Sequence, residues 1–234
     1  MKLPAKGGQA AVLTCLVCMV MALSSCSRGE RRAPAPAVTG PRFELALVPG
    51  PAYRHSVGFL FIKLTMYPQV ACWVETPDGR YVDTIYVTGK GAKKKFYGAP
   101  SAGRPEALPV WSHARGAASL HADAVSGATP AGSVQAVSPA AGAFAPGRYV
   151  VKLEVNGSYD YNDRYTRANS GVNGQPSLVY SVQIHVGKGD ESADLVPVGT
   201  GSVDGSNGSI TPGLEGLTTA LEILSSARIT WHDR

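Results

Sequence analysis

The chain has 234 residues, 44% hydrophobic and 17% charged, enough to bury one sizeable core without staples. Its 27 glycines and 17 prolines point to short elements joined by many turns, which tilts the class toward all-β. The formal charge of +5 falls to +3 once a leader carrying Lys2 and Lys6 is removed, leaving 20 basic against 17 acidic side chains; so weak a balance names no partner and gives no footing for nucleic acid.

Lys2 and Lys6 precede an almost uninterrupted apolar run from Ala10 to Leu23, shorter than the about 20 residues that span a bilayer. Residues 1–25 therefore read as an export leader. Leu23-Ser24-Ser25-Cys26 resembles the lipobox of bacterial lipoproteins. That resemblance implies acylation of the Cys26 thiol with diacylglycerol, of palmitate type, and cleavage that leaves Cys26 as the first mature residue. The alternative is an ordinary secretory signal with a chance cysteine. Ser27 in place of an aspartate favours the outer membrane over the inner, with the folded part in the periplasm. Cys15 and Cys18 leave with the leader, so Cys72, inside Val70-Ala71-Cys72-Trp73-Val74, is the one thiol left to the domain and reads as buried and inert.

Residues 26–41 hold Arg28, Arg31, Arg32 and the alternation Ala33-Pro34-Ala35-Pro36, a composition that stays extended and serves as a tether whose arginines sit near anionic head groups. A single domain is expected over residues 42–234. Strands are expected at Phe43–Val48, Val57–Met66, Gln69–Glu75 and Tyr81–Thr88, all rich in β-branched and aromatic residues, with Pro77-Asp78-Gly79 as a turn. Lys93-Lys94-Lys95 reads as solvated charge that blunts a sheet edge.

Residues 98–145 are irregular, dominated by Ala, Gly, Pro and Ser, and a stretch this long is where function is sought first. His113, His121 and Asp123 match no metal-ligand spacing, so no metal is expected. Asp123-Ala124-Val125-Ser126-Gly127-Ala128-Thr129 resembles the D-x-x-S/T-G-A-T sequence at which flavin transferases attach FMN to a threonine of extracytoplasmic electron-transfer proteins. The resemblance implies a phosphoester on Thr129, with Asp123, Ser126 and Gly127 completing the motif. Pro130 stiffens the acceptor, and a plain connecting turn is the alternative.

Two strands are the clearest of all. Tyr149, Val151, Leu153 and Val155 alternate with Arg148, Lys152 and Glu154 after the turn pair Pro146-Gly147, and Tyr180, Val182, Ile184 and Val186 alternate with Ser181, Gln183 and His185. Between them Asp160, Asn162, Asn173 and Gln175, interleaved with Tyr159, Tyr161 and Tyr165, form either a binding loop or a set of residues that bond their own backbone. Asp204 to Glu215 reads as a glycine-rich hairpin in preference to a calcium loop. Leu217, Ala220, Leu221 and Leu224 recur at helical spacing, with Thr218 and Thr219 as caps and Ser225-Ser226 as a stop. Arg228–Trp231 returns as a strand. Consecutive strands with short turns predict an immunoglobulin-like antiparallel β-sandwich with one C-terminal helix.

Leu108-Pro109-Val110-Trp111, the Asp123–Pro130 stretch, Pro146-Gly147-Arg148-Tyr149, Asp160-Tyr161-Asn162 and Gly171-Val172-Asn173-Gly174-Gln175-Pro176-Ser177 together resemble the DUF2271 family of predicted periplasmic proteins, from about Phe59 to Trp231. The resemblance implies an accessory part in extracytoplasmic redox systems that include flavin transferases, and supplies no catalytic residues. Three readings follow: a lipid-anchored, flavin-linked accessory protein partnered by a flavin transferase or redox protein; a non-enzymatic binding or envelope-assembly module; and, ranked last, an enzyme with a site gathered from distant residues.

Overall fold

The computed structural model describes residues 39–59, 62–93, 104–120, 124, 132–139 and 144–234. Twelve strands are formed among them: β1 (Arg42–Pro49), β2 (His55–Phe59), β3 (Ile62–Met66), β4 (Gln69–Glu75), β5 (Tyr81–Val87), β6 (Val134–Pro139), β7 (Gly147–Asn156), β8 (Leu178–Val186), β9 (Glu191–Asp194), β10 (Val196–Thr200), β11 (Thr211–Pro212) and β12 (Leu224–His232). Short helices interrupt them: α1 (Gly89–Lys93), α2 (Pro109–Arg115), α3 (Arg167–Ser170) and 3-10 turns at Pro105–Ala107 and Thr219–Glu222.

The strands build a four-stranded sheet in the order β6-β1-β12-β9 and a six-stranded sheet in the order β11-β10-β8-β7-β4-β5. Every ladder in both is antiparallel. Period-two patterning explains the facing: Phe43, Leu45 and Leu47 of β1 and Ala227, Ile229 and Trp231 of β12 turn inward. They meet Val70, Cys72 and Val74 of β4 and Val151, Leu153 and Val155 of β7 in one apolar cluster. The all-β antiparallel sandwich expected from alternation is the architecture that forms.

The larger sheet is covered on its second face as well. Ala71 and Trp73 of β4, Val87 of β5 and Val179 of β8 pack with Leu108, Val110 and Trp111 in a separate apolar cluster. That is why β4 is buried at every position, as the unbroken run of apolar residues from Val70 to Val74 requires. Burying Trp111 alone withdraws on the order of 200 Å² from water, roughly 5 kcal/mol of transfer free energy before entropy is counted.

Three expectations are corrected. The C-terminal helix reduces to the 3-10 turn Thr219–Glu222, and Leu224 instead begins β12; Leu217, Ala220, Ile223 and Leu224 are buried in the main cluster, so the apolar spacing marks points where an irregular segment dips into the core. The expected strand Val57–Met66 is a hairpin, β2 paired with β3 in a sheet of its own. The stretch 98–145 is not bare of structure, since it holds α2 and β6; Pro109 at the first helical turn starts α2.

Candidate functional site

The surface outside the larger sheet is organised by one buried carboxylate. Glu154 sits at an outward position of β7, where alternation alone places a solvated residue, yet it is 0% exposed. The reason is α2. Leu108 at the N-cap supplies no side-chain cap, so Glu154 receives the orphan amides of the helix: Val110 N–H donates to Oε1 at 3.2 Å and Trp111 N–H to Oε2 at 2.8 Å. Ser177 Oγ adds a third donor to Oε1 at 2.6 Å. Burial pushes the Glu154 carboxyl up to about 7, against the lowering pull of Ser177, Trp111 and Val110.

Charged and aromatic groups surround this point. Trp73 Nε1 donates to Glu75 Oε1 at 2.7 Å, and Lys152 Nζ reaches Glu75 Oε2 at 2.6 Å. Trp111 Nε1 donates to Thr84 Oγ1 at 3.0 Å, which also meets the Tyr81 hydroxyl at 2.8 Å. The Arg115 guanidinium lies 5.0 Å over the Trp111 ring; its Nη1 donates to the Ala118 carbonyl at 2.7 Å, while its buried Nε has no hydrogen-bond partner among the described residues. Neither Glu154 nor Arg115 stands out in the sequence, because only the docking of α2 buries them.

The chain then leads toward the Asp123–Thr129 stretch. Leu120 is half-buried against the second cluster, and Ala124, the second residue of the motif, is buried. Asp123, Ser126, Gly127 and Thr129 lie outside the described residues, as do His121 and Cys26. His113 is turned to its own helix, with Nδ1 2.8 Å from the Pro109 carbonyl. Among the described residues no group of three or more His, Cys, Asp and Glu could hold a metal ion. Asp204 Oδ1 accepts from Ser206 N–H and Asn207 Oδ1 from Ser209 N–H, at 3.0 and 2.9 Å, which are turn bonds within the 204–215 loop.

Asp160, Asn162, Asn173 and Gln175 are brought together at one end of the sandwich, and their polar groups are spent on the protein itself. Asn173 is 0% exposed; its Nδ2 donates to the Glu106 carbonyl at 2.5 Å, and its Oδ1 accepts from Arg104 Nη2 at 2.6 Å. Gln175 Nε2 donates to Thr219 Oγ1 at 2.7 Å, and its Oε1 accepts from Thr218 N–H at 2.6 Å. Thr219 Oγ1 donates in turn to Asp160 Oδ1. Asn162 Nδ2 reaches the Gly216 carbonyl and Thr218 Oγ1, while its Oδ1 receives Arg164 and Tyr165 N–H. The sequence did not reveal the partners Arg104, Glu106, Thr218 and Thr219, which come from segments far along the chain.

A backbone clamp accompanies this network. Tyr159 N–H donates to the Val172 carbonyl, Asp160 N–H to the Asn173 carbonyl and Gln175 N–H to the Asp160 carbonyl. Gly174 has φ +78°, and a Cβ there would lie 2.2 Å from the Asp160 carbonyl oxygen, so only glycine fits. Tyr159 is held at φ 62°, in the left-handed region, and stays 36% exposed.

Residues 64–163 match the model of the DUF2271 family, described as a predicted periplasmic protein. The family resemblance read from Leu108–Trp111, Asp123–Pro130, Pro146–Tyr149 and Asp160–Asn162 falls inside that span, as do Trp73, Glu75, Lys152 and Glu154; Gly171–Ser177 lies beyond it. No curated protein and no solved structure matches the chain.

Proposed function

Starting from a chain whose residues 64–163 match a family of predicted periplasmic proteins, we propose a lipid-anchored accessory protein of extracytoplasmic flavin-linked electron transfer, with FMN carried on Thr129. The observation that carries this reading is the sequence Asp123-Ala124-Val125-Ser126-Gly127-Ala128-Thr129 inside the matched span. Its second residue, Ala124, is buried, which supports an acceptor threonine five positions beyond an anchored point. Arg115 supports the fit from another side. It is a guanidinium whose buried Nε has no partner among the described residues, on the segment that runs toward the motif, and guanidinium is the side chain suited to a phosphoester.

Attachment would form the bond from Thr129 Oγ to the flavin-side phosphorus of a dinucleotide donor held by a periplasmic flavin transferase. The threonine proton passes to that enzyme, and the nucleoside monophosphate leaves. A bound flavin would supply reversible electron transfer, which no side chain of this domain offers. The domain's own part is to fix the acceptor segment to the sandwich through Leu120 and Ala124, with Cys26 and the tether keeping it beside a membrane donor. Ser27 after the anchor favours the outer membrane.

The second reading is a binding or envelope-assembly module. Tyr159 favours it: an exposed aromatic ring held in a costly backbone conformation by three backbone hydrogen bonds is the arrangement expected of a presented contact residue. Intact mass separates the two. Protein from its native host, or co-expressed with a periplasmic flavin transferase, is expected to carry an FMN-sized increment that Thr129→Ala abolishes. No increment in a host that flavinylates a control substrate would sink the carrier reading and leave the binding module in front.

A further inference from the structure

The turn that joins β8 to β9 carries the chain from the six-stranded sheet to the four-stranded one. Its last residue, Asp190, and the first residue of β9, Glu191, each meet a histidine, and the two histidines stand in different sheets. His185 of β8 places Nδ1 3.3 Å from Glu191 Oε2, the oxygen that also accepts the His185 N–H at 2.8 Å. His232 of β12 places Nδ1 3.3 Å from Asp190 Oδ2. Two neighbouring carboxylates thereby stitch the sheets together at this end of the sandwich.

His232 has a second carboxylate on its other side. Its Nε2 lies 3.0 Å from Glu44 Oε2 of β1, so both ring nitrogens face carboxylate oxygens. An ionised carboxylate only accepts, and a neutral imidazole has a single N–H. In either neutral tautomer one nitrogen turns its lone pair on a negative oxygen. The imidazolium alone donates to both.

The surroundings favour that cation. The Asp233 N–H, 2.9 Å from Oδ1, is the main cause that holds the Asp190 carboxyl below its ordinary value, with His232 and Arg42 adding to it; Asp190 therefore stays ionised wherever the ring titrates. Asp233 itself follows His232 directly, with Oδ1 taking the Trp231 indole N–H at 3.1 Å. Against these three carboxylates stands Arg42, directly across from His232 on β1. Its Nη1 is engaged by the carbonyls of Gly40 and Arg234, at 3.1 and 2.9 Å. Beyond β1, β6 brings Val137 opposite Glu44 and Pro139 opposite Arg42, neither of which carries charge. On the side of β9, Glu191 is spent on His185, and Asp194 is paired with Arg228.

The geometry points to His232 as a pH-operated clasp: as the imidazolium it binds Glu44 and Asp190 at once and fastens β1, β12 and the β8–β9 turn, and on losing its proton it releases one of the two. β9 is the element that answers. It is an edge strand of 4 residues bonded to β12 on one side, and the Asp190 tie lies at its entry. Histidine changes charge between about pH 5 and 8. A ring that gains partners on folding contributes in full below that range and loses its contribution as pH rises through it. The side chains of His232, Glu44 and Asp190 are 21%, 35% and 63% exposed, which limits the effect to that of a part-screened ion pair, about a fivefold change in local opening. The clasp is separate from the Glu154 carboxyl, which lies under α2 on the second face of the larger sheet, and from whatever Thr129 carries.

The test uses the full chain labelled with nitrogen-15. The ring signals of His232 are followed through the histidine range in the wild type and in Glu44→Gln, where an amide replaces the second anion; the imidazolium is expected to persist to higher pH in the wild type. Amide-exchange protection of β9, corrected for the intrinsic dependence of exchange on pH, is then compared at the two ends of that range. It is expected to fall about fivefold in the wild type as pH rises and to stay level in His232→Gln, while the amides of α2 respond alike in both proteins. A ring that titrates identically with and without the Glu44 carboxylate, or β9 protection that falls equally in His232→Gln, overturns the proposal. Should His232→Gln fail to accumulate, Asp190→Asn removes the tie at the turn and is read in the same way.

Discussion

Ser177 Oγ donates a hydrogen bond of 2.6 Å to Glu154 Oε1, and both side chains are 0% exposed. Gly201 closes over the pair: a Cβ there would lie 2.5 Å from Ser177 Oγ and 3.0 Å from Glu154 Oε1. The carboxyl therefore has three protein donors and no path to water, and it ties α2 to the second face of the larger sheet.

That arrangement makes stability depend on pH. The folded protein keeps the Glu154 proton up to about 7, whereas the ordinary value is 4.5. Stability falls as pH rises through that window and levels off above it, a loss of about 3 kcal/mol. Below the window both states are protonated and the effect vanishes. Glu154→Gln should flatten this slope while costing about 1–2 kcal/mol at low pH for the lost acceptor. Urea midpoints of both proteins across the window check it; equal slopes would overturn the assignment.

Two glycines of left-handed backbone should respond differently to alanine. Gly174 faces the Asp160 carbonyl oxygen at 2.2 Å from a built Cβ, whereas Gly171, at φ +56°, has nothing within 4 Å. Gly171→Ala should cost about 1 kcal/mol. Gly174→Ala should cost about 3 kcal/mol or more, because the clamp on Tyr159 must open. Thermal melting of the two variants decides, and equal costs would mean that the clamp is loose.

Two ion pairs of similar length should differ in worth. Lys152 and Glu75 meet at 2.6 Å with side chains 20% and 4% exposed, while Arg228 and Asp194 meet at 2.8 Å with 56% and 61%. Lys152→Met leaves the Glu75 carboxylate buried with only the Trp73 indole, at a cost of about 3 kcal/mol. Asp194→Ala should change stability by less than about 0.5 kcal/mol. Chemical denaturation of each variant is the measurement.

Cys72 should be silent in the native state. It is fully buried between the sheets, and burial raises its thiol far above the ordinary range. A thiol reagent should modify it only on opening of the sandwich, at a rate that tracks global unfolding in denaturant. Rapid modification in native buffer would place the thiol outside the core.

The strands β7 and β8 were legible because strict alternation has only one half-buried reading, and β4 because five apolar residues in a row have no solvent face. The pairing of β2 with β3 was not legible, since no Asn-Gly or Asp-Gly pair interrupts the sequence from Val57 to Met66. The segment 217–224 misled for a different reason: an irregular chain that touches the core at intervals produces the same spacing as a helix. Of the candidate residues, Asp160, Asn162, Asn173 and Gln175 were visible by type, but polar residue types do not say whether their bonds go inward. Glu154 was read as solvated because alternation sees only its own strand, and the helix that buries it starts 45 residues earlier, at Pro109.

The pairing of β1 with β12, closed at its end by the Arg42 guanidinium on the carbonyl of Arg234 at 2.9 Å, sets an order of events. The four-stranded sheet has β1 and β12, the first and last of the described strands, as neighbours, so its spine is incomplete until β12 is available. Contact order this high slows folding and keeps a partly emerged chain from closing its core early. Until β12 has been made, β1 lacks the partner it keeps along its whole length, and the topology itself acts as the delay.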